Sequence, residues 1–447
     1  AQANGIELLV ALLQIEGAET VKEDASSALW ALSANNQANQ ERVAEAGGIG
    51  PLVQVLGEGS VRAQEQAAGA LASLAFNNPK NESSIAQMLV TLLGHKDKHT
   101  SARAARAISR LARAHASNQL AIAQVGGVKL LVSLLNPKEG CAFQSEADGK
   151  LQSPVAEREA LESAKVQKEI ASALWSMALN NLENQRAIAQ EERGVSALIA
   201  LLGGMAAAGL PREAAGALWS LAASDDNRVL IAECGGIIPL VKLLQTGPAG
   251  AQETAAGALH SLAEAPHNRV TIASAGGIPL LVALFESGSD EAKKEAAGAL
   301  IALAVQNVAN QQVIAQSLVE LLESGSAQAK EHATASIRDL AQDQSTGAIA
   351  RAGAIPLLVK QLMEGSERVQ AMAASALSQI AQRSADHRGQ VTQELVGLLS
   401  SADPAVRQRA SEALREMAAD GEAAPTKQKK AAVKSVSTGG GAHLVSL

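Results

Sequence analysis

A phrase of roughly forty residues built around Leu-Val-x-Leu-Leu returns ten times along this chain, and that period limits the possible folds more than any other feature. It lies at Leu9-Val10, Leu52-Val53, Leu89-Val90, Leu131-Val132, Leu198-Ile199, Leu240-Val241, Leu281-Val282, Leu318-Val319, Leu358-Val359 and Leu395-Val396. Successive copies are 37 to 43 residues apart, except for one step of 67 between Leu131 and Leu198. A period of this size marks a helical solenoid, in which each repeat buries its apolar face only against its neighbours. The 447 residues then form one elongated array rather than several globular domains, with a long binding face and no enclosed pocket.

Composition agrees with this reading. Hydrophobic residues make up 47% of the chain but aromatics only 1%, so the core must be Ala and Leu. Such a core suits closely packed helices and disfavours sandwiches and barrels. A net charge of −7 and the scarcity of stacking rings argue against a nucleic-acid binder. Cys141 and Cys234 stand in different repeats and form no disulfide framework, so the expected location is cytoplasmic or another reducing compartment. No apolar run approaches the roughly 18 residues that a transmembrane segment needs. The first residue is Ala1, which fits a processed form or a fragment, from which a targeting peptide would already be gone.

The clearest copy runs from Asn268 through Ile272, Gly276-Gly277 and Pro279 to Leu284, then through Ser289 to Gly298 and Leu303. It reads as three helices. The first is short and begins at an Asn able to cap free amides. The Gly-Gly pair ends it and permits a sharp bend, and Pro279 is tolerated in the next first turn. The second helix carries the Leu-Val-x-Leu-Leu stripe and stops at Gly-Ser. That Ser caps a third helix whose Ala-Ala-Gly-Ala-Leu face allows close approach. The same Asn recurs at Asn39, Asn81, Asn118, Asn184, Asn227 and Asn310.

Where the step is 37, at Leu89, Leu318 and Leu395, the Ala-Gly-Gly-Ile-Pro bend is missing. The first and second helices are expected to fuse there. The step of 67 marks an insertion loop at about residues 136–164 of the fourth repeat, with the third helix starting early, between Glu157 and Lys168. Residues 420–447 lose the pattern and read as a flexible tail containing Lys427, Lys429, Lys430, Lys434 and Gly439 to Gly441. Arg407, Arg409, Glu412, Arg415 and Glu416 supply the polar face of a terminal repeat.

The phrases Ala-Gly-Gly-Ile-Pro-Leu-Leu-Val-Ala-Leu and Ala-Ala-Gly-Ala-Leu-Trp-Ser-Leu-Ala resemble the armadillo repeat family, including its β-catenin-like and fungal vacuolar members, over residues 1–419. The fused units and Asp403-Pro404 are similar to HEAT repeats. The resemblance implies an all-α fold, a right-handed α-solenoid superhelix of about ten repeats, with third helices lining a concave groove. It also implies a non-catalytic protein-interaction scaffold. Importin-α-like members read basic signals with groove pairs of Trp and Asn, and none of those pairs is present here. In the family's register the third repeat holds Arg106 and Arg110 instead, which disfavours an import receptor.

Chemistry-bearing candidates are few. Arg103, Arg106, Arg110 and Arg113 fall on one face of the third repeat's third helix, by steps of three, four and three. They read either as a clamp for carboxylates or phosphates of a partner segment, or as a solvated face or residues paired with glutamates of adjoining repeats. Trp30, Trp175 and Trp219 share one repeat position with His260. They read either as partner-binding hot spots or as fillers between successive third helices. His95 and His99 flank Asp97 in a lysine-rich turn that reads as a solvated loop rather than a metal site. Cys234 reads as a packed thiol. Gly-Ser pairs such as Gly59-Ser60 recur as helix caps and lack the strand that a nucleophile elbow needs. No enzyme, cofactor or metal is indicated. The expected function is an adaptor that binds a protein partner through an acidic or phosphorylated segment, and the alternative is a structural subunit of a large assembly.

Overall fold

The computed structural model describes residues 4–137, 154–342, 345–415 and 417–418. Every regular element among them is helical, and the fold is an all-α solenoid. The chain divides into two compact bodies, Ala1–Leu280 with Gly288–Glu295 and Leu281–Ser287 with Ala296–Leu447.

In the first body, three-helix repeats follow the expected grammar. The second repeat is Gln37–Glu45, Ile49–Glu58 and Val61–Ala75, and the sixth is Asp225–Glu233, Ile237–Thr246 and Ala249–Ala263. Both glycines of the bend are needed. In the sixth repeat Gly235 takes φ +78, a left-handed conformation that costs glycine nothing. At Gly236 a methyl group would lie 2.8 Å from Ile231 Cγ2, so the second position must be bare for close packing. The helices on either side of the pair bend by 81°.

The fused repeats are continuous helices, as the missing bend requires: Pro79–Leu93 in the first body, and Val308–Ser324 and Ala385–Leu398 in the second. Serine caps the third helices as expected. Ser60, Ser289, Ser326 and Ser366 accept from the backbone amides of Ala63, Ala292, Ala329 and Val369. Leu52, Leu56, Leu71 and Leu74 of the second repeat are fully buried. Each contributes about 1.5–3 kcal/mol of burial free energy, and that term carries the fold.

Three expectations are corrected. The recurring Asn is not the cap of the first helix. The caps are Asn36, Asn78, Asn181 and Asn307, which accept from the amides of Asn39, Asn81, Asn184 and Asn310. The recurring Asn instead reaches back to the end of the preceding third helix, as with Asn310 Nδ2 to the Leu303 carbonyl at 3.0 Å. Secondly, the fourth repeat's third helix is Pro154–Ala178, so residues 154–164 of the expected loop are helical. Residues 138–153 of the expected loop, with Cys141, lie outside the described residues, as do residues 420–447 of the expected tail and Glu416. Thirdly, Cys234 is exposed rather than packed, because it caps the outer end of Asp225–Glu233. The terminal repeat uses its arginines as staples as well as a polar surface. Arg407 donates to the Ser401 carbonyl at 2.7 Å, and Arg409 meets Glu367 at 3.4 Å.

Among the described residues no single helix is long and apolar enough to cross a membrane.

Candidate functional site

The arginine row is built on the helix Lys98–Ala114, whose first turn is fixed by Asp97. The Asp97 carboxylate accepts from the Thr100 amide at 2.8 Å and from the Thr100 hydroxyl at 2.7 Å. Those bonds, the hydroxyl's foremost, hold its pKa below the ordinary aspartate value. His95 lies before the cap, where its Nδ1 accepts from the Asp97 amide at 3.1 Å, and His99 lies in the first turn. The two rings therefore do not share a helix face, as an i, i+4 metal pair would require. Among the described residues no three His, Cys, Asp or Glu side chains gather as metal ligands.

Ala105, Ala107, Ile108 and Leu111 bury one side of this helix, leaving the arginines on the other. Their four environments differ. Arg103 pairs with Glu58 of the second repeat and also lies 3.9 Å from Asp97. Arg106 Nη2 donates to Glu169 Oε1 of the fourth repeat at 3.0 Å. Arg113 donates from Nε to Ser176 Oγ at 2.9 Å, and its guanidinium lies 5.5 Å from the centre of the Trp175 ring. Arg110, by contrast, is half-buried and has no ion pair or hydrogen bond among the described residues. Burial, and then the nearby charge of Arg106, lower its pKa from the ordinary guanidinium value, while Glu65 and Glu169 act in the opposite sense.

The pairing reading holds at two positions of the row. Arg103 and Arg106 are paired with glutamates of adjoining repeats, and Arg110 is the cation left over. Glu58 and Glu169 were not singled out from the sequence. Glu169 has a signal there, since it stands in the fourth repeat where Arg103 stands in the third. The buried hydroxyls of Ser109 and Ser176, 2.8 Å apart, lock the two third helices together beneath the row.

The tryptophans fill gaps between successive third helices. A methyl group at Gly69, Gly216 or Gly257 would lie 2.5–2.6 Å from the indole of Trp30, Trp175 or Trp219 respectively. Each ring therefore rests on the bare backbone of the next third helix and fills the gap there. Even so, Trp30 remains 42% exposed. Trp175 also draws a second guanidinium, that of Arg212, at 5.9 Å. His260, at the fourth equivalent position, pairs Nδ1 with Glu295 Oε2 at 2.9 Å.

The armadillo/beta-catenin-like repeat family matches residues 36–76, 224–264, 265–300 and 342–382. A crystal structure of an engineered protein from the Northeast Structural Genomics Consortium is 31% identical, over 92% of this chain and 98% of that one, with a TM-score of 0.57. No curated protein matches.

Proposed function

Because this chain belongs to the armadillo-type repeat family, whose repeats mediate protein–protein interaction, we propose that it is a non-catalytic scaffold. It holds an acidic or phosphorylated segment of a partner protein against the row of third helices. The observation that carries this reading is Arg110. A guanidinium that is half-buried, near the like charges of Arg106 and Arg113, and without an ion pair or hydrogen bond among the described residues is an arrangement that an incoming carboxylate or phosphate relieves. Arg103 and Arg106 already have carboxylate partners, so they border the site rather than form its centre. Arg113, Trp175 and Arg212 extend the cationic surface toward the fifth repeat.

The test is fluorescence anisotropy with a Glu- and Asp-rich peptide and a phosphoserine counterpart, against wild type, Arg110→Ala and Arg110→Glu. Arg110→Glu should abolish binding and Arg110→Ala should weaken it, and added salt should reduce wild-type affinity. Equal affinity across the three proteins would overturn the reading.

A further inference from the structure

We propose that the partner segment is extended and carries two bulky apolar residues about eight positions apart, flanking its acidic centre. One enters a pocket beside Trp30 and the other an equivalent pocket beside Trp175 and Trp219. This rests on the acidic-segment reading and specifies what else that segment must contain.

The two pockets are copies of one device. The first, of about 350 Å³, is lined by Trp30, Asn35, Gly69, Ser73, Phe76 and His115 among others. The second, of about 530 Å³, has Trp175, Asn180 and Ser220 at the places of Trp30, Asn35 and Ser73, with Leu179, Leu182 and Trp219 beside them. In each, the Asn lies in left-handed conformation, φ +53 at Asn35 and +55 at Asn180, which turns the chain away and leaves the indole shelf open. The repeats between them have no shelf, because Ala72 and Ser109 stand at the Trp position. Ser109 is moreover buried against Ser172 and Ser176.

Folding does not call for these open shelves. Phe76 is 48% exposed, Leu179 40% and Leu182 57%, in a chain with only three Phe and three Trp. Exposed apolar side chains gathered in a concavity mark an interaction site. Charge fixes the occupant's chemistry. His115 of the first pocket caps the arginine-bearing helix, and Trp175 of the second lies against Arg113, so Arg110 of the same helix sits on the path between them.

Geometry fixes the spacing. The third helices Glu19–Ser33, Val61–Ala75, Lys98–Ala114 and Pro154–Ala178 follow one another along the row, closely packed at the first and last joints and more loosely at the middle one. Packed helix axes lie about 8–10 Å apart, so three steps span at least about 24–30 Å. An extended chain covers that distance in about eight residues at roughly 3.3 Å each.

The experiment uses the full chain and labelled peptides of roughly 14 residues of Glu, Ser and Gly. Some carry two Phe spaced by about four, eight or twelve residues, and controls carry one Phe or none. The peptide with the spacing of about eight should bind at least about tenfold tighter than either control. Phe76→Ala and Leu179→Ala should each cancel that gain and leave binding of the Phe-free peptide unchanged. Both side chains are largely exposed, so the variants should fold, and circular dichroism checks that they do. If every acidic peptide binds alike, or the optimum falls at another spacing, while Arg110→Glu still abolishes binding, the two-pocket inference is overturned and the acidic-segment reading stands. If no peptide binds and Arg110→Glu changes nothing, both are overturned.

Discussion

The side-chain amide of Asn184 donates to the main-chain oxygen of Met177 at 2.9 Å, seven residues back along the chain. The same bond joins Asn81 to Leu74, Asn118 to Leu111 and Asn310 to Leu303, and one reaching six residues back joins Asn227 to Leu221 and Asn268 to Leu262. A helix leaves its last carbonyls without intrahelical partners, and burial makes that costly. At these six joints the third helix ends in a buried setting against the first helix of the next repeat. The Asn one turn into that next helix supplies the missing donor. It therefore fixes the angle at which one repeat hands over to the next.

At Asn81, as at Asn227 and Asn268, the amide serves two carbonyls, here Leu74 at 3.1 Å and Gln40 at 3.3 Å, in a buried setting. Asn81→Ala should lower stability by about 1–3 kcal/mol, the cost of leaving buried acceptors unmet. Asn39→Ala should cost less, because its bond to the Leu32 carbonyl is solvent-exposed. Urea midpoints of the two variants check the order, and equal losses would contradict the account.

Gly69 and Trp30 form a second coupled pair. A methyl group at Gly69 would sit 2.6 Å from the indole, so Gly69→Ala overpacks the joint and should cost about 1–3 kcal/mol. Removing the ring gives the methyl somewhere to go. Gly69→Ala combined with Trp30→Ala should therefore be less destabilised than the sum of the single variants, and a double-mutant cycle measures the difference. Strict additivity would mean that the ring does not press on the glycine.

The repeat was legible because each copy writes out its own local grammar. The stripe at Leu240-Val241, the bend at Gly235-Gly236 and the cap at Ser60 depend on neighbours within a few residues. The fused helix Pro79–Leu93 was legible from a missing bend for the same reason. The role of Asn39 was not, because in Asn35-Asn36-Gln37-Ala38-Asn39 either Asn36 or Asn39 could have been the cap. Only the tertiary position of the Leu32 carbonyl separates them. The fate of the arginines was hidden in the same way. Glu58 is 45 residues before Arg103 and Glu169 is 63 after Arg106, so no local pattern joins them.

Asp97 makes stability depend on pH at the start of the arginine helix. Its pKa is lowered in the folded chain, chiefly by the Thr100 hydroxyl, from an ordinary value of 3.8. A group depressed in this way stabilises the fold above its unfolded pKa and loses that contribution as pH falls through the folded value. Asp97→Ala should therefore melt below wild type at neutral pH. The gap should narrow as pH falls below 3.8 and the wild-type carboxylate takes up its proton. A gap in melting temperature that stays constant across that range would show that the carboxylate charge is not what caps the helix.

Arg106 and Arg110, one turn apart on the same helix, should respond oppositely to truncation. Arg106 neutralises Glu169, a carboxylate only 9% exposed that also has Lys168 at 3.8 Å and the more distant charge of Arg110. Arg106→Ala strands much of that charge and should cost about 1–3 kcal/mol. Arg110 has no such partner, and Arg106 lowers its pKa through like-charge repulsion. Arg110→Ala should therefore leave the urea midpoint unchanged or raise it slightly while weakening the acidic peptide. Residues kept for binding at the expense of stability behave in this way. If Arg110→Ala instead destabilises the chain as much as Arg106→Ala, its guanidinium serves the fold, and the partner must be held elsewhere.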